Sequence, residues 1–172
     1  MKKSHAIILS AILTILLSLN VFFLSQNQKQ VITIKEIIDG DTFKTTEDKN
    51  IRLANINTPE KNEQGYEEAK TFLQKFENKE VEIEILGIDK YGRILAKVFT
   101  PDYLNLKIVD EGLATKFLVQ DSETKEFTKA EQKAIENEKG IWKKSQYFNC
   151  FESKVFPEEE FVKLKNNCQK IN

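Results

Sequence analysis

The sequence predicts an α+β domain built around a small barrel of five short strands. Three observations support this fold class. Five segments have the β-branched or alternating apolar residues typical of strands, three stretches carry apolar residues at helical spacing, and the order is strand-strand-strand-helix-strand-strand-helix-helix. Short strands leave exposed edges, and a sheet removes its edges by closing into a barrel. We therefore expect a closed five-stranded barrel with about three helices.

The predicted strands form a group of three and a group of two. The first strand is rich in β-branched residues and ends at Asp39-Gly40, a dipeptide typical of hairpin turns. In the fourth, Val81, Ile83 and Ile85 alternate with glutamates, which is the pattern of a half-buried strand. The five predicted strands span 31–38, 42–45, 50–54, 81–85 and 93–99.

Three helices are predicted between and after these strands. The first, 65–77, is amphipathic, and the second, 103–111, is short. The last begins near 122–128 and is followed by a glycine that fits its C-terminal end. Thr128 and Glu131 have the spacing of a capping box, but this spacing alone does not decide whether the pair caps the helix or lies inside it.

The first 28 residues predict a membrane-directed segment. After Lys2 and Lys3 no charged residue occurs until Lys29, and the apolar stretch 6–24 is long enough to span a bilayer core as a helix. Lysines on its short N-terminal side predict that this end stays in the cytoplasm while the rest is exported. We expect an uncleaved transmembrane signal anchor that leaves the domain outside the cell membrane. The alternatives are a cleaved signal, which would give a secreted protein, and a buried soluble helix.

The predicted organisation has three parts: the anchor 1–28, a globular domain 29–146, and a peripheral helical extension 147–172. The extension contains Cys168, and Cys150 lies near its start. Because an exported chain meets oxidising conditions, these two cysteines can form a structural disulfide. Two free, half-buried thiols are the alternative.

Composition excludes several kinds of catalytic machinery. The single histidine, His5, precedes the globular part, which excludes a Ser-His-Asp or Cys-His nucleophile there. Two cysteines are too few for a Cys/His zinc site. The chain has 26 Lys and Arg against 27 Asp and Glu, so without Lys2 and Lys3 the remainder has 24 against 27, a net charge of −3. Chemistry in this domain must use carboxylates, Arg, Lys and Tyr.

Charged residues that packing does not require gather in three clusters, 38–42, 51–60 and 89–93. Taken singly, each is ordinary: a turn, a helix start and a hairpin connection. Together they offer Asp41 as a hard oxygen ligand for Ca²⁺ and two strand-borne arginines for a phosphate, while Glu60 can accept a proton from water. A carboxylate base, a cation and two guanidiniums suffice for phosphodiester hydrolysis without histidine.

These clusters resemble the staphylococcal nuclease (thermonuclease) family, and the resemblance covers most of 31–143. The pieces that carry it are Ile-Asp-Gly-Asp-Thr (38–42), Ile-Arg-Leu (51–53), Thr-Pro-Glu (58–60), Tyr-Glu-Glu-Ala (66–69), Asp-Lys-Tyr-Gly-Arg (89–93), Glu-Gly-Leu-Ala (111–114) and Gly-Ile-Trp (140–142). The resemblance implies an OB-fold barrel with three helices. It also implies a Ca²⁺-dependent endonuclease that cuts the 5′ P–O bond of DNA and RNA and leaves 3′-phosphates. We expect single-stranded DNA or RNA as the favoured partner and a monomeric protein.

The resemblance also implies a role for each matching residue. By position, the metal ligands are Asp41, the carbonyl of Thr58 and residue Asn57; the catalytic residues are Arg52, Glu60 and Arg93; and Lys90 and Tyr91 lie near a terminal phosphate of the nucleotide. Glu60 would hold or activate the attacking water, and the two arginines would grip the reacting phosphate.

Asn57 departs from the family pattern, which has a second metal-binding aspartate there. An amide oxygen can still reach Ca²⁺ but brings no charge, so we expect weaker metal binding. Leu118 stands near the place of an aromatic that helps to hold the base. These departures keep open an alternative, a non-catalytic OB-fold module that binds nucleic acid or a protein. A purely structural envelope domain is the third possibility.

Overall fold

The computed structural model describes residues 12–17, 29–145 and 147–168. In chain order its strands are β1 (Gln30–Ile37), β2 (Thr42–Thr45), β3 (Asn50–Leu53), β4 (Ile56–Asn57), β5 (Glu80–Ile88), β6 (Ile94–Phe99), β7 (Thr115–Lys116), β8 (Phe151–Phe156) and β9 (Phe161–Asn166). The α-helices within residues 29–168 are α1 (Tyr66–Gln74), α2 (Leu104–Asp110) and α3 (Asp121–Glu136). Single 3-10 turns occur at Gly140–Trp142 and Pro157–Glu159.

Five of these strands close into a barrel in the order β1-β2-β3-β6-β5. β1 pairs antiparallel with both β2 and β5, β2 pairs antiparallel with β3, and β5 pairs antiparallel with β6. The parallel pair of β3 and β6 completes the circle. The predicted α+β class and the five-stranded barrel are therefore confirmed.

The barrel interior and the helices share one hydrophobic core. The barrel strands contribute Phe43, Ile51 and Leu53 to this core. The helices α1 and α3 contribute Leu73 and Phe127, which are also buried. Burying each such side chain stabilises the fold by about 1.5–3 kcal/mol. Because Ile51 and Leu53 point inward, strand alternation turns the residue between them outward. That residue is Arg52, so the core packing of β3 sets the direction of a predicted catalytic side chain.

Asn105 of α2 is a buried polar residue that the sequence analysis missed. Its side-chain oxygen accepts from the Val98 amide at 2.9 Å, and its Nδ2 donates to the carbonyls of Ala54 and Ala96 at 2.8 and 3.0 Å. The side chain is 0% exposed. These bonds attach α2 to β6 and to the residue that follows β3, and so they fix the helix against the barrel.

The strands β4 and β7 were not predicted, because each has only two residues and so shows no periodic pattern. β4 pairs antiparallel with β7, with Asn57 opposite Thr115. This ladder holds the chain between β3 and α1 close to the segment before α3. It therefore fixes the backbone at Asn57, next to the second predicted cluster.

The structure shows whether Thr128 and Glu131 form a capping box. Both lie inside α3, which begins at Asp121, so the pair is not an N-terminal cap. Glu131 instead accepts hydrogen bonds from the backbone N and the side chain of Lys116 in β7.

The predicted helical extension at 147–172 is wrong where the structure describes it. β8 and β9 form an antiparallel hairpin, and a disulfide joins Cys150 to Cys168 at its base. The physical reason is an alternation of period two that the sequence analysis overlooked. Cross-strand pairing puts Phe151, Val155, Val162 and Leu164 on one face and Lys154, Lys163 and Lys165 on the other.

The predicted membrane segment lies largely outside the described residues. Of the stretch 1–28, only 12–17 is described, and it is helical. Among the residues that the structure describes, no helix has the length and apolar character needed to cross a membrane. The anchor and the boundaries of the three predicted parts stay predictions.

Candidate active site

The three charged clusters meet at one small polar cavity of about 100 Å³. Its lining comprises Asp39, Asp41, Arg52, Thr58, Pro59, Glu60 and Arg93. The three predicted catalytic residues and two of the three predicted metal ligands are therefore brought together. The chain contains only two arginines, Arg52 and Arg93, among its 26 basic residues, and both line this cavity.

The turn between β1 and β2 brings Asp41 into the cavity. The amides of Ile38 and Asp39 both donate to the Thr42 carbonyl, at 3.0 and 3.2 Å, and the Asp41 amide donates to the Asp39 carboxylate at 3.0 Å. Position 40 must be glycine because neighbouring side chains lie very close to its backbone. A Cβ there would lie 2.7 Å from Ala69 Cβ and 2.8 Å from Thr58 Oγ1. The missing side chain allows α1 and the Thr58 segment to pack directly against this turn.

Asp41 is a buried carboxylate with several donors around it. It is 6% exposed; its Oδ1 accepts from Thr42 Oγ1 at 2.9 Å, and its Oδ2 accepts from the Thr58 amide at 3.4 Å. Arg52 Nη2 forms an ion pair with Oδ2 at 3.1 Å. Burial raises the pKa of Asp41 above its usual value, while Arg52 and the hydrogen bonds act in the opposite direction. A bound cation would favour the charged carboxylate and so oppose the effect of burial.

Arg52 is held by backbone and side-chain acceptors. Its Nη1 donates to the carbonyls of Leu53 and Ile56 at 3.0 and 3.1 Å, and its Nη2 donates to Asn57 Oδ1 at 3.0 Å. With the Asp41 ion pair, both terminal nitrogens of the guanidinium have protein partners. Since a guanidinium stays charged and planar, these contacts fix both its position and its plane.

Arg93 is oriented by Asp89, a residue in a predicted motif to which the sequence analysis gave no role. Asp89 Oδ2 accepts from Arg93 Nε at 2.8 Å, and Oδ1 accepts from the amides of Tyr91 and Arg93 at 2.8 and 3.0 Å. Arg93 Nη1 also donates to Thr42 Oγ1 at 3.4 Å. Desolvation opposes ionisation of Asp89, but these hydrogen bonds outweigh it and leave its pKa below the usual value. An aspartate at the start of a tight turn is the signal that could have identified it.

A larger cleft of about 690 Å³ adjoins the small cavity. Arg52, Glu60 and Arg93 line both spaces, so their side chains stand at the junction. The cleft also contains the predicted substrate residues Lys90 and Tyr91, together with Asn57, Phe117 and Leu118. Tyr91 is 71% exposed, and its ring lies 5.5 Å from the Arg93 guanidinium carbon.

The small cavity offers hard oxygen donors, which is the ligand type that Ca²⁺ prefers. Asp39 and Asp41 contribute carboxylates, and Thr58 lies beside them. Asn57, in contrast, lines the larger cleft rather than this cavity, and its side-chain oxygen faces Arg52. Within the described part of the chain, no group of three or more His, Cys, Asp or Glu side chains is placed to hold a metal ion together. The chemical type of the donors fits a hard cation, and the charge they supply is low.

Comparison with known proteins agrees with this arrangement. Residues 50–144 match the sequence model of the family described as staphylococcal nuclease homologue. This chain belongs to that family. The matched stretch contains Arg52, Asn57, Glu60 and Arg93, and it begins after Asp41. The predicted resemblance is thus confirmed at the level of family.

Two proteins named "Uncharacterized endonuclease" resemble part of the chain. The one from Escherichia coli is 36% identical over 78 residues, and the one from Escherichia coli O157:H7 is 35% identical over 78 residues. In each case the similarity covers 42% of this chain and 50% of the relative. The chain therefore spans about half the length of the curated relatives that it matches.

Proposed function

We propose that this protein is a Ca²⁺-dependent nuclease that hydrolyses phosphodiester bonds in DNA or RNA. The observation that supports the proposal is the meeting of Asp41, Arg52, Glu60 and Arg93, from separate segments, at one cavity of about 100 Å³. Family membership and the name of the two Escherichia coli relatives point to the same kind of chemistry.

In this proposal, three side chains act on the scissile phosphate. Glu60 accepts a proton from water as the water oxygen bonds to phosphorus, and the bond from phosphorus to the 5′ oxygen breaks. The products are a 3′-phosphate and a 5′-hydroxyl that takes a proton from solvent. Arg93 donates hydrogen bonds to the oxygens on which negative charge develops. Arg52 donates to them through its Nε–H, because the four N–H groups on its terminal nitrogens already have protein acceptors. Fixed donors of this kind typically contribute about 10²–10³-fold each to the rate.

The proposed cation belongs beside Asp41. Asp41 and the Thr58 carbonyl would hold it, and Asp39, which lines the same cavity, would add negative charge. When bound, Ca²⁺ would supply electrostatic stabilisation of the phosphate oxygens. The protein itself orients the arginines and buries the carboxylate, whichever ion is present.

The proposed substrate strand occupies the larger cleft. A space of about 690 Å³ is large enough for a nucleotide, and Lys90 and Tyr91 lie along it. Because Tyr91 is exposed, a base from an unpaired strand can stack on its ring. The net charge of −3 outside the N-terminal segment gives weak general attraction to a polyanion, so we expect binding to depend on this local group of cations.

We also propose that the domain works outside the cytoplasm, tethered by the N-terminal segment or released from it. The disulfide between Cys150 and Cys168 supports this location, because such bonds persist in oxidising compartments. Protease added to intact cells that carry the full-length protein should digest the domain. Protection of the domain until the cells are lysed would contradict an external location.

The activity is tested by digestion of plasmid DNA and of RNA with the purified full-length protein across a Ca²⁺ titration. We expect cleavage that a chelator stops and that Glu60→Gln lowers by at least about 10²-fold. Glu126→Gln is the matched control, since it makes the same chemical change on an exposed site of α3. The alternative, a non-catalytic binding module, is favoured by salt-dependent oligonucleotide binding without cleavage at any Ca²⁺ concentration.

A further inference from the structure

We propose that Asn57 is a positioning residue for Arg52 and does not bind the cation. This inference deepens the proposed function and rests on it, because it assigns the part that Asn57 plays in the same site. It also replaces the sequence-based expectation that Asn57 is a weak metal ligand.

The side chain of Asn57 is directed at Arg52. Its Oδ1 lies 3.0 Å from Arg52 Nη2, and an arginine nitrogen can only donate, so the amide oxygen rather than the amide nitrogen must face it. Asn57 lines the larger cleft, whereas Asp39, Asp41 and Thr58 line the small cavity. The amide oxygen is therefore directed at the guanidinium, and Asn57 is not among the residues that line the small cavity.

The backbone of Asn57 is fixed independently of its contact with Arg52. Asn57 pairs with Thr115 in the ladder of β4 and β7, and its carbonyl accepts a hydrogen bond from Thr115 Oγ1 at 3.3 Å. A fixed backbone places the Asn57 side chain beside Arg52 before any substrate or cation binds. The same ladder thus gives the Asn57 oxygen a defined position from which to hold Arg52.

The charge balance around Arg52 also favours a neutral residue at position 57. Arg52 already has one carboxylate partner, Asp41, at 3.1 Å. An aspartate at position 57 would give it a second, and the guanidinium would then face a phosphate with its charge already offset. The neutral amide of Asn57 fixes the guanidinium by a hydrogen bond and leaves its positive charge available to the substrate. In a chain where residue 57 contacts Arg52 and not the cation, an uncharged acceptor therefore suits this position.

The test follows the Arg52 guanidinium by ¹H–¹⁵N NMR in the full-length protein, without any metal. Because the chain has only two arginines, Arg52→Lys assigns the signals. Hydrogen bonds to the terminal nitrogens slow their rotation and exchange with water, so we expect resolved Nη signals from Arg52 in the wild type. Asn57→Ala should broaden or remove them, while Asn57→Asp, which keeps an acceptor, should retain them.

Calcium titration by calorimetry supplies the second readout. We expect Asn57→Ala to bind Ca²⁺ within about two-fold of the wild type, whereas removing a true ligand typically weakens binding by about ten-fold or more. Thermal unfolding of each variant shows whether it remains folded. A ten-fold loss of Ca²⁺ affinity in Asn57→Ala, or Arg52 signals unchanged by that substitution, would overturn the inference. If the wild type binds no Ca²⁺, the proposed metal dependence fails, and the metal-free NMR comparison still decides the role of Asn57.

Discussion

The cavity formed by the three charged clusters and the C-terminal hairpin are built in opposite ways. At the cavity, Asp41 and Thr58 are buried. The Arg52 side chain contacts four acceptors, and the Arg93 side chain contacts two from different segments. In the hairpin, the residues of β8 and β9 are exposed except for a half-buried Phe156, and a disulfide closes the base. The cavity is held by many polar contacts to the barrel, while the hairpin is held by its own ladder and one covalent bond.

This difference between the two regions predicts which substitutions should change the cleavage rate. Fixed donors lower the barrier because they need no rearrangement when charge develops on the substrate. Side chains at the cavity are therefore expected to act on the rate, and those in the hairpin are not. Substitutions in the two regions test this distinction.

The largest effect is expected from Arg52→Ala. Removing the guanidinium eliminates a donor to the phosphate and leaves Asp41 without its cationic partner, so we expect kcat to fall about 10³-fold. Single-turnover cleavage of a labelled oligonucleotide measures the change. Lys125→Ala, on the exposed side of α3, is the control and should cleave like the wild type. Near-normal cleavage by folded Arg52→Ala would contradict the expectation that side chains at the cavity control the rate.

The next effect concerns stability and involves Asn105. Asn105→Ala leaves the Val98 amide and the Ala54 carbonyl buried without this partner, and we expect it to lower the free energy of unfolding by about 2–4 kcal/mol. Urea denaturation followed by fluorescence of the single Trp142 measures it. A loss below about 0.5 kcal/mol would show that α2 is not fixed to the barrel by this residue.

A smaller effect on rate is expected from Asp89→Ala. Arg93 would lose the carboxylate that orients it, and loss of such a supporting partner typically costs about ten-fold or more in activity. Asp89 has a lowered pKa, so the stability that its contacts contribute is present above its unfolded pKa and is lost as the pH falls through the lower folded value. Asp89→Ala should therefore unfold with a weaker pH dependence on the acidic side. Identical acid unfolding curves for variant and wild type would contradict this role.

The smallest effect is expected from the hairpin. Replacing both Cys150 and Cys168 by serine should leave kcat and KM within about two-fold of the wild type, because neither cysteine lines the small cavity or the larger cleft. Protease digestion should then cut the chain within 151–166 earlier than in the wild type, since the hairpin has lost its covalent closure. A large loss of activity would show that the hairpin supports the cavity.

The same contrast explains what sequence could predict. The barrel strands were predictable because Val81, Ile83 and other core residues recur at period two, and the charged clusters were recognisable because their residue types match phosphate and cation chemistry. The contacts between clusters were not predictable. Asn105 and Asp89 act through partners fixed only by tertiary packing, and the two-residue strands β4 and β7 give no periodic signal. The hairpin was not predictable from its numerous charged residues alone, because only the pairing of β8 with β9 shows which of them share a face.

The most direct test of the central claim is the identity of the ends left on a labelled single-stranded oligonucleotide by the full-length protein with Ca²⁺. If the Asp41, Arg52, Glu60 and Arg93 cavity performs the proposed chemistry, the products carry 3′-phosphates and 5′-hydroxyls, and Glu60→Gln abolishes their formation while Glu126→Gln does not. Products that form equally with Glu60→Gln, or an oligonucleotide left intact by the wild type, would contradict the account.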